Sequence, residues 1–226
     1  MATQIQKRRG TASEHQSFTG AVGEITVNTT NDSAHVHDGA TAGGFELARA
    51  DGQNANMPTS AMPAGSVIQV QTVQVTNPFT QSISGNTDNI ISDFDLNITP
   101  FSSNSIMLFQ LSILVDFDND NQAHDHLFTI FRNSTKLGQP DPGNDSRNYG
   151  IAPATRTYYA EGGTSTLHHL GVNFMDQPNT TSSITYRVSI NGNQTTTLAV
   201  NRSISDGDAL FTERGASTFT VMEIAG

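Results

Sequence analysis

Cysteine is absent from this 226-residue chain, which excludes disulfides, thiolate metal sites and cysteine nucleophiles and leaves the redox compartment open. Charge is scarce as well. Charged residues make up 14% of the sequence, against roughly 25% in an ordinary soluble domain; Ser, Thr, Asn and Gln fill the deficit, as suits extracellular fibres and β-sandwiches. Basic residues are the rarer sign, 11 against 21 acidic, for a formal net charge of −10, and only Lys7-Arg8-Arg9 forms a basic cluster. Affinity for nucleic acid comes from counterion release by clustered Lys and Arg, so no nucleic-acid partner is expected and the tripeptide reads as a solvated terminus. No run approaches the ~18 apolar residues of a membrane span, and no apolar signal segment follows Met1. A soluble chain without membrane insertion is expected.

Hydrophobic residues account for 35%, and adding the 19 Gly brings the figure to about 43%, slightly below the ~45–50% usual for soluble domains. A core is possible but not a generous one. The length exceeds the ~100–150 residues of a typical single domain, which predicts two. Residues 1–47 hold two short extended runs, 24–28 and 34–37, joined by the turn-rich Thr29-Thr30-Asn31-Asp32-Ser33. That pattern predicts a hairpin, and an isolated hairpin is marginal in water, so association is expected to complete its core. Residues 48–66 are rich in small residues, Gly and Pro without a period and read as a linker.

From 67 to 226 an alternating period dominates. Phe109, Leu111, Ile113, Val115 and Phe117 fall on one face of a strand, with Gln110, Ser112 and Asp116 on the other. Ile184, Tyr186, Val188 and Ile190 repeat the arrangement, as do Leu170, Val172 and Phe174, and then Phe219 and Val221. Further strands are expected at 67–75, 94–98, 127–131 and 198–200. About eight strands broken by Asn, Gly and Pro turns, with no helical stripe, predict an all-β fold whose head is an antiparallel β-sandwich or jelly roll.

Three N-terminal stretches carry a resemblance: Gln6-Lys7-Arg8-Arg9-Gly10-Thr11, then Phe18-Thr19-Gly20, then the run from His35-Val36-His37-Asp38-Gly39 to Gly43-Gly44. Together they resemble the Gly-punctuated attachment module of bacteriophage tail and side fibres. Residues 67–226 are similar to the globular heads of such fibres, in Asn97-Ile98-Thr99-Pro100, Ile130-Phe131-Arg132-Asn133 and the closing Phe219-Thr220-Val221-Met222-Glu223-Ile224. The resemblance implies a parallel homotrimer, held to other virion proteins through the N-terminus, with its head exposed to the host and its localisation in the virion. A phage product released by lysis also fits the missing secretory signal.

Several clusters invite chemistry. His35 and His37 lie two apart in a strand and so point to one face; in a trimer with that face turned inward, six imidazoles would suit a transition metal such as Fe, Ni or Zn, as some phage fibres do, while His37 before Asp38-Gly39 is equally explained as leading into a turn. Otherwise no cofactor is expected. Asp116, Asp118 and Asp120, with His124, Asp125 and His126 following, resemble the start of a cation loop but lack the Gly and closing Glu of a calcium hand, and a solvated hairpin loop explains them too. His168-His169 offers a base without a Gly-X-Ser-X-Gly nucleophile, so no enzyme is expected. Arg147, Tyr149, Arg156, Tyr158 and Tyr159 lie in the Gly/Pro/Asn-rich stretch 137–164, where exposed aromatics and guanidinium groups grip sugars or proteins. The expected function is attachment to a host-cell surface glycan or protein; a virion decoration or adaptor without receptor binding is the alternative, and a polysaccharide hydrolase a third.

Overall fold

The computed structural model of the chain describes residues 6–48, 58, 61–118, 125–138, 148–154, 166–210 and 212–226. It divides into two compact units, Met1–Pro58 and Thr59–Gly226, with the division inside the stretch expected to be a linker.

In the first unit β1 (Arg9–Gly10) runs parallel to β2 (Ile25–Asn28), which pairs antiparallel with β3 (Ser33–Val36) and that in turn with β4 (Phe45–Glu46). The turn between β2 and β3 passes through Asp32 at φ 53°, a left-handed conformation that Asp tolerates. Between β1 and β2 lies a one-and-a-half-turn helix, α1 (Ala12–Ser17), which the sequence reading missed. Its start carries a recognisable signal: Thr11 accepts from the Glu14 N–H while the Glu14 carboxylate takes the Thr11 N–H at 2.6 Å, a reciprocal capping box.

The second unit is a β-sandwich. One sheet runs β10 (Thr135–Lys136), β9 (Leu127–Arg132), β13 (Ile184–Asn191), β7 (Asn89–Ile98), with β11 (Ala152–Pro153) also on β9. The other is built on β8 (Ile106–Phe117), which pairs with β12 (His168–Asp176) along one edge. Along its opposite edge lie β15 (Ser217–Ile224) and β14 (Thr196–Val200), and these carry β5 (Val67–Val75) and β6 (Phe79–Ile83) outside them. The predicted alternation holds on β8, where every inward residue from Met107 to Phe117 is buried. Phe109 sits at the centre of the core, with the Tyr186 ring of the facing sheet edge-on at 4.7 Å and the Phe219 and Phe174 rings stacked at 6.1 and 6.4 Å.

Two acidic residues are drawn into the fold, the first of them against expectation. Asp116, expected on the solvated face of β8, is 1% exposed because the segment after β14 folds over it and the Ile204 N–H donates to its carboxylate at 2.7 Å. Asp176 closes β12 inside the sandwich, accepting from the buried Tyr186 hydroxyl at 2.8 Å and from Arg132 Nη1 at 2.9 and 3.0 Å. Burial and the neighbouring carboxylate push the Tyr186 phenol well above its ordinary range.

Candidate attachment and recognition sites

The interior of the first unit is polar. Among its described residues the buried side chains are His15, Thr26, Asn28, Ser33, His35 and His37, and no apolar side chain is buried. Such groups are stable inside only when their hydrogen bonds are made, and here a chain of donors and acceptors runs through them. The Gly20 N–H donates to His37 Nδ1 at 3.2 Å, which makes that nitrogen an acceptor and puts the proton on Nε2. His37 Nε2–H then donates to Thr26 Oγ1 at 2.9 Å, the Thr26 hydroxyl donates to His15 Nε2 at 2.9 Å, and His15 Nδ1–H ends on the Thr11 carbonyl at 3.0 Å. One backbone N–H at one end and one backbone carbonyl at the other therefore fix both tautomers and the direction of the hydroxyl. His35, whose ring centroid lies 4.6 Å from that of His15, donates from Nδ1 to the Gly43 carbonyl at 2.8 Å.

His35 and His37 do share one face, as the spacing predicts, but in this chain α1 and the segment around Gly20 cover it. Both His37 nitrogens and His35 Nδ1 are engaged by the partners just described, and His35 Nε2 lies 3.5 Å from the Ser33 hydroxyl. Glycines make the close packing possible: a Cβ on Gly20 would stand 2.5 Å from the His37 ring, and one on Gly44, at φ 61°, 2.8 Å from His37 Nδ1. Among the described residues no group of three His, Cys, Asp or Glu side chains is placed to hold a metal ion.

The other face of this small sheet is apolar. Ile25, Val36 and Phe45 stand in register across three strands, and Val27 and Ala34 form the next row, with the Leu47 N–H on the Ala34 carbonyl. Ile25 is 44% exposed, Phe45 57% and Leu47 48%. Beside the first strand the Arg8 guanidinium lies 4.8 Å from the Phe18 ring centre and pairs with Glu24 at 3.0 Å, so part of the basic cluster is structured rather than merely solvated. The unit is thus inside out by the usual standard, with imidazoles within and aliphatics without.

In the head, Asp116 and Asp118 are committed to backbone and hydroxyl donors. Asp116 takes the Phe117 and Ile204 N–H groups; Asp118 takes the Thr196 hydroxyl at 2.5 Å and the Thr197 N–H at 3.0 Å. Burial by itself would raise the Asp118 carboxyl, but these hydrogen bonds outweigh it and hold the group below its ordinary value. Asp120 and His124 lie outside the described residues. Asp125 receives Asn193 Nδ2 at 3.0 Å, and the fully buried His126 ring lies 5.5 Å from that of Phe117. The two described carboxylates serve to tie strand ends together.

Of the expected recognition residues, Arg147, Arg156, Tyr158 and Tyr159 lie outside the described residues. Tyr149 is described, and its ring carries Lys136 Nζ at 4.3 Å from the ring centre; that ammonium also pairs with Asp88 at 2.7 Å, and Asn191 Nδ2 reaches the same carboxylate at 3.0 Å. Next to this set an open groove of about 650 Å³ runs past Asp88, Phe131, Asn133 and Arg187. It offers an aromatic surface, donors and a guanidinium together, which is chemistry suited to a sugar or a polar peptide. Asp88, Lys136 and Arg187 were not singled out by the sequence, because nothing in their spacing reveals that a loop and two separate strands bring them together. His168 and His169 alternate on β12 and face opposite ways; His169 Nε2 lies 2.9 Å from the Ser112 hydroxyl on the open face of the sheet.

Residues 5–41 match the family described as the Major tropism determinant N-terminal domain. A 51-residue stretch is 59% identical to the tail fiber receptor-binding protein of Bordetella phage BPP-1, covering 23% of this chain and 13% of that protein. Among solved structures, the Major Tropism Determinant P3c variant is 30% identical over 46% of this chain and 29% of its own length, with a TM-score of 0.20. The U1 variant is 31% identical over the same shares, with a TM-score of 0.21. The chain therefore spans about one eighth of the length of the curated relative that it matches.

Proposed function

We propose that this chain is the subunit of a homotrimeric bacteriophage fibre, fixed to other virion proteins through residues 1–47 and attaching to the host-cell surface through its head, residues 67–226. The similarity of the N-terminal module to that of phage receptor-binding proteins supports the virion location. The observation that carries the reading is the inverted module. Ile25, Phe45 and Leu47, and the 82% exposed Val22, stand largely in water, while the buried side chains among the unit's described residues are all polar. Full burial of one such side chain from full exposure is worth about 1.5–3 kcal/mol, and scaling by the exposed fractions of the four leaves on the order of 3–7 kcal/mol per chain to be gained when copies cover one another, before the cost of association.

The head suits recognition by contacts rather than by long-range attraction. A net charge of −10 gains nothing at an anionic cell envelope. Recognition then rests on hydrogen bonds and aromatic faces such as those around Tyr149 and Arg187, multiplied by three copies. No catalytic role is assigned.

Sedimentation of the purified full chain tests the assembly: the expected particle contains three copies of the 24.2 kDa chain, and Phe45→Asp is expected to dissociate it. A wild-type particle of one chain at micromolar concentration overturns the trimer. Adsorption competition tests the function. Protein added to host cells is expected to block the parent phage, whereas unhindered adsorption by a protein that still incorporates into virions identifies a decoration or adaptor instead.

A further inference from the structure

We infer that the outer face of the larger head sheet is a contact between copies of this chain, an inference that rests on the trimeric reading and adds to it the surface by which heads meet. Three rows of side chains run straight across the sheet. In one, Met175 pairs with Leu108, Leu108 with Met222 and Met222 with Val70. Met175 is 64% exposed and Val70 52%. The next row reads Asn173, Gln110, Thr220, Thr72, and the third Gly171, Ser112, Thr218, Gln74. No Asp, Glu, Lys or Arg occupies any position of these rows. The outer face of the facing sheet differs: it carries the Arg187–Asp95 pair at 3.3 Å.

An uncharged face is what identical acidic subunits need. Two copies each bearing −10 repel wherever carboxylates meet, and burying an ion at a contact costs desolvation that a Thr, Gln or Met does not. Contact centres are accordingly depleted of charge and enriched in Met and other large side chains. A host ligand fits this face less well, because it offers no guanidinium, ammonium or exposed aromatic ring in the three rows.

Gly171 supplies a second, independent observation. A glycine inside a strand weakens it and often marks the close approach of another backbone. Here a Cβ would meet nothing nearer than His169 Cε1 at 3.8 Å, so packing within the chain does not require the glycine. Its missing side chain leaves an open depression of about 330 Å³ beside Gln110, Asn173 and Thr220. That dent receives a side chain of the neighbouring head.

Because the chain has no cysteine, a single thiol reports the contact cleanly. Gln110, on the outer face of β8, and Ser134, in the turn between β9 and β10 of the other sheet, are both exposed in the single chain. In the full-length protein, Gln110→Cys is expected to react with a bulky maleimide at least ten-fold more slowly than Ser134→Cys. Adding Gly171→Val to Gln110→Cys is expected to restore fast labelling with the head still folded, since valine favours a strand and has room. Equal labelling of the two thiols in a particle that sediments as a trimer overturns this contact and leaves the trimer standing. Slow labelling that appears only when host cells are added also overturns it, in favour of a receptor on this face. A one-chain particle overturns the trimeric reading itself.

Discussion

Thr26→Val should unfasten the N-terminal module without touching the head. The Thr26 hydroxyl is 1% exposed and serves two imidazoles at once, accepting from His37 Nε2 and donating to His15 Nε2, both at 2.9 Å. Valine fills nearly the same volume, so the change deletes the two hydrogen bonds and leaves both ring nitrogens buried without that partner. Each stranded group costs about 1–3 kcal/mol, which sets the loss at about 2–6 kcal/mol for the module. One decade in an equilibrium constant corresponds to about 1.4 kcal/mol. Amide exchange through opening of the module should therefore quicken by roughly thirty-fold or more. Suitable reporters are the Val27 N–H on the Arg8 carbonyl and the His37 N–H on the Glu24 carbonyl, both inside the unit. Head amides on β8 should keep their wild-type rates, and Thr26→Ser, which retains the hydroxyl, should stay close to wild type. A change of less than about three-fold at Val27 and His37 would refute the idea that the imidazole–hydroxyl chain holds the module together.

Asp38 should titrate with a midpoint of about 2, held down first by the Thr41 N–H, then by the Ala40 N–H and the Thr41 hydroxyl. Since the folded value lies below the unfolded one, the turn is fully supported above pH about 4, and that support is lost as pH falls toward about 2. Carboxyl chemical shifts across that window check it, and a midpoint near 3.8 would contradict the hydrogen bonds. Gly192→Ala should destabilise the head by about 1–3 kcal/mol in a denaturant titration, because the new Cβ would stand 2.4–2.6 Å from the ring of a fully buried His126; an unchanged midpoint would show that the ring has room to move.

Much of the head was legible because burial on one side of a strand imposes a period of two. The stretch 107–117 announced its inward face residue by residue, as did 184–190 and 219–221. Phe79–Ile83 escaped notice, being short and without alternation of strongly apolar residues. In the module the hairpin was readable from its turn residues, whereas α1 was overlooked despite the Thr11…Glu14 spacing that caps it. His35 and His37 stood out for their spacing, and their common face was correctly inferred. Their actual partners, Thr26, Gly20 and Gly43, lie 8–17 residues away; the two glycines stand in the stretches that carry the resemblance, but nothing in the sequence pairs them or Thr26 with the imidazoles.

By itself the sequence determined the fold class and the shortage of apolar material in the first fifty residues, because composition and periodicity act locally and survive in a one-dimensional string. Only the tertiary structure decided that this shortage is met by a polar interior with an apolar exterior, and that three neighbouring rows on one outer face of the head carry no charge. Both depend on which strands become neighbours and in what register, since a one-residue slip would exchange the two faces, and register is set by the whole folded chain.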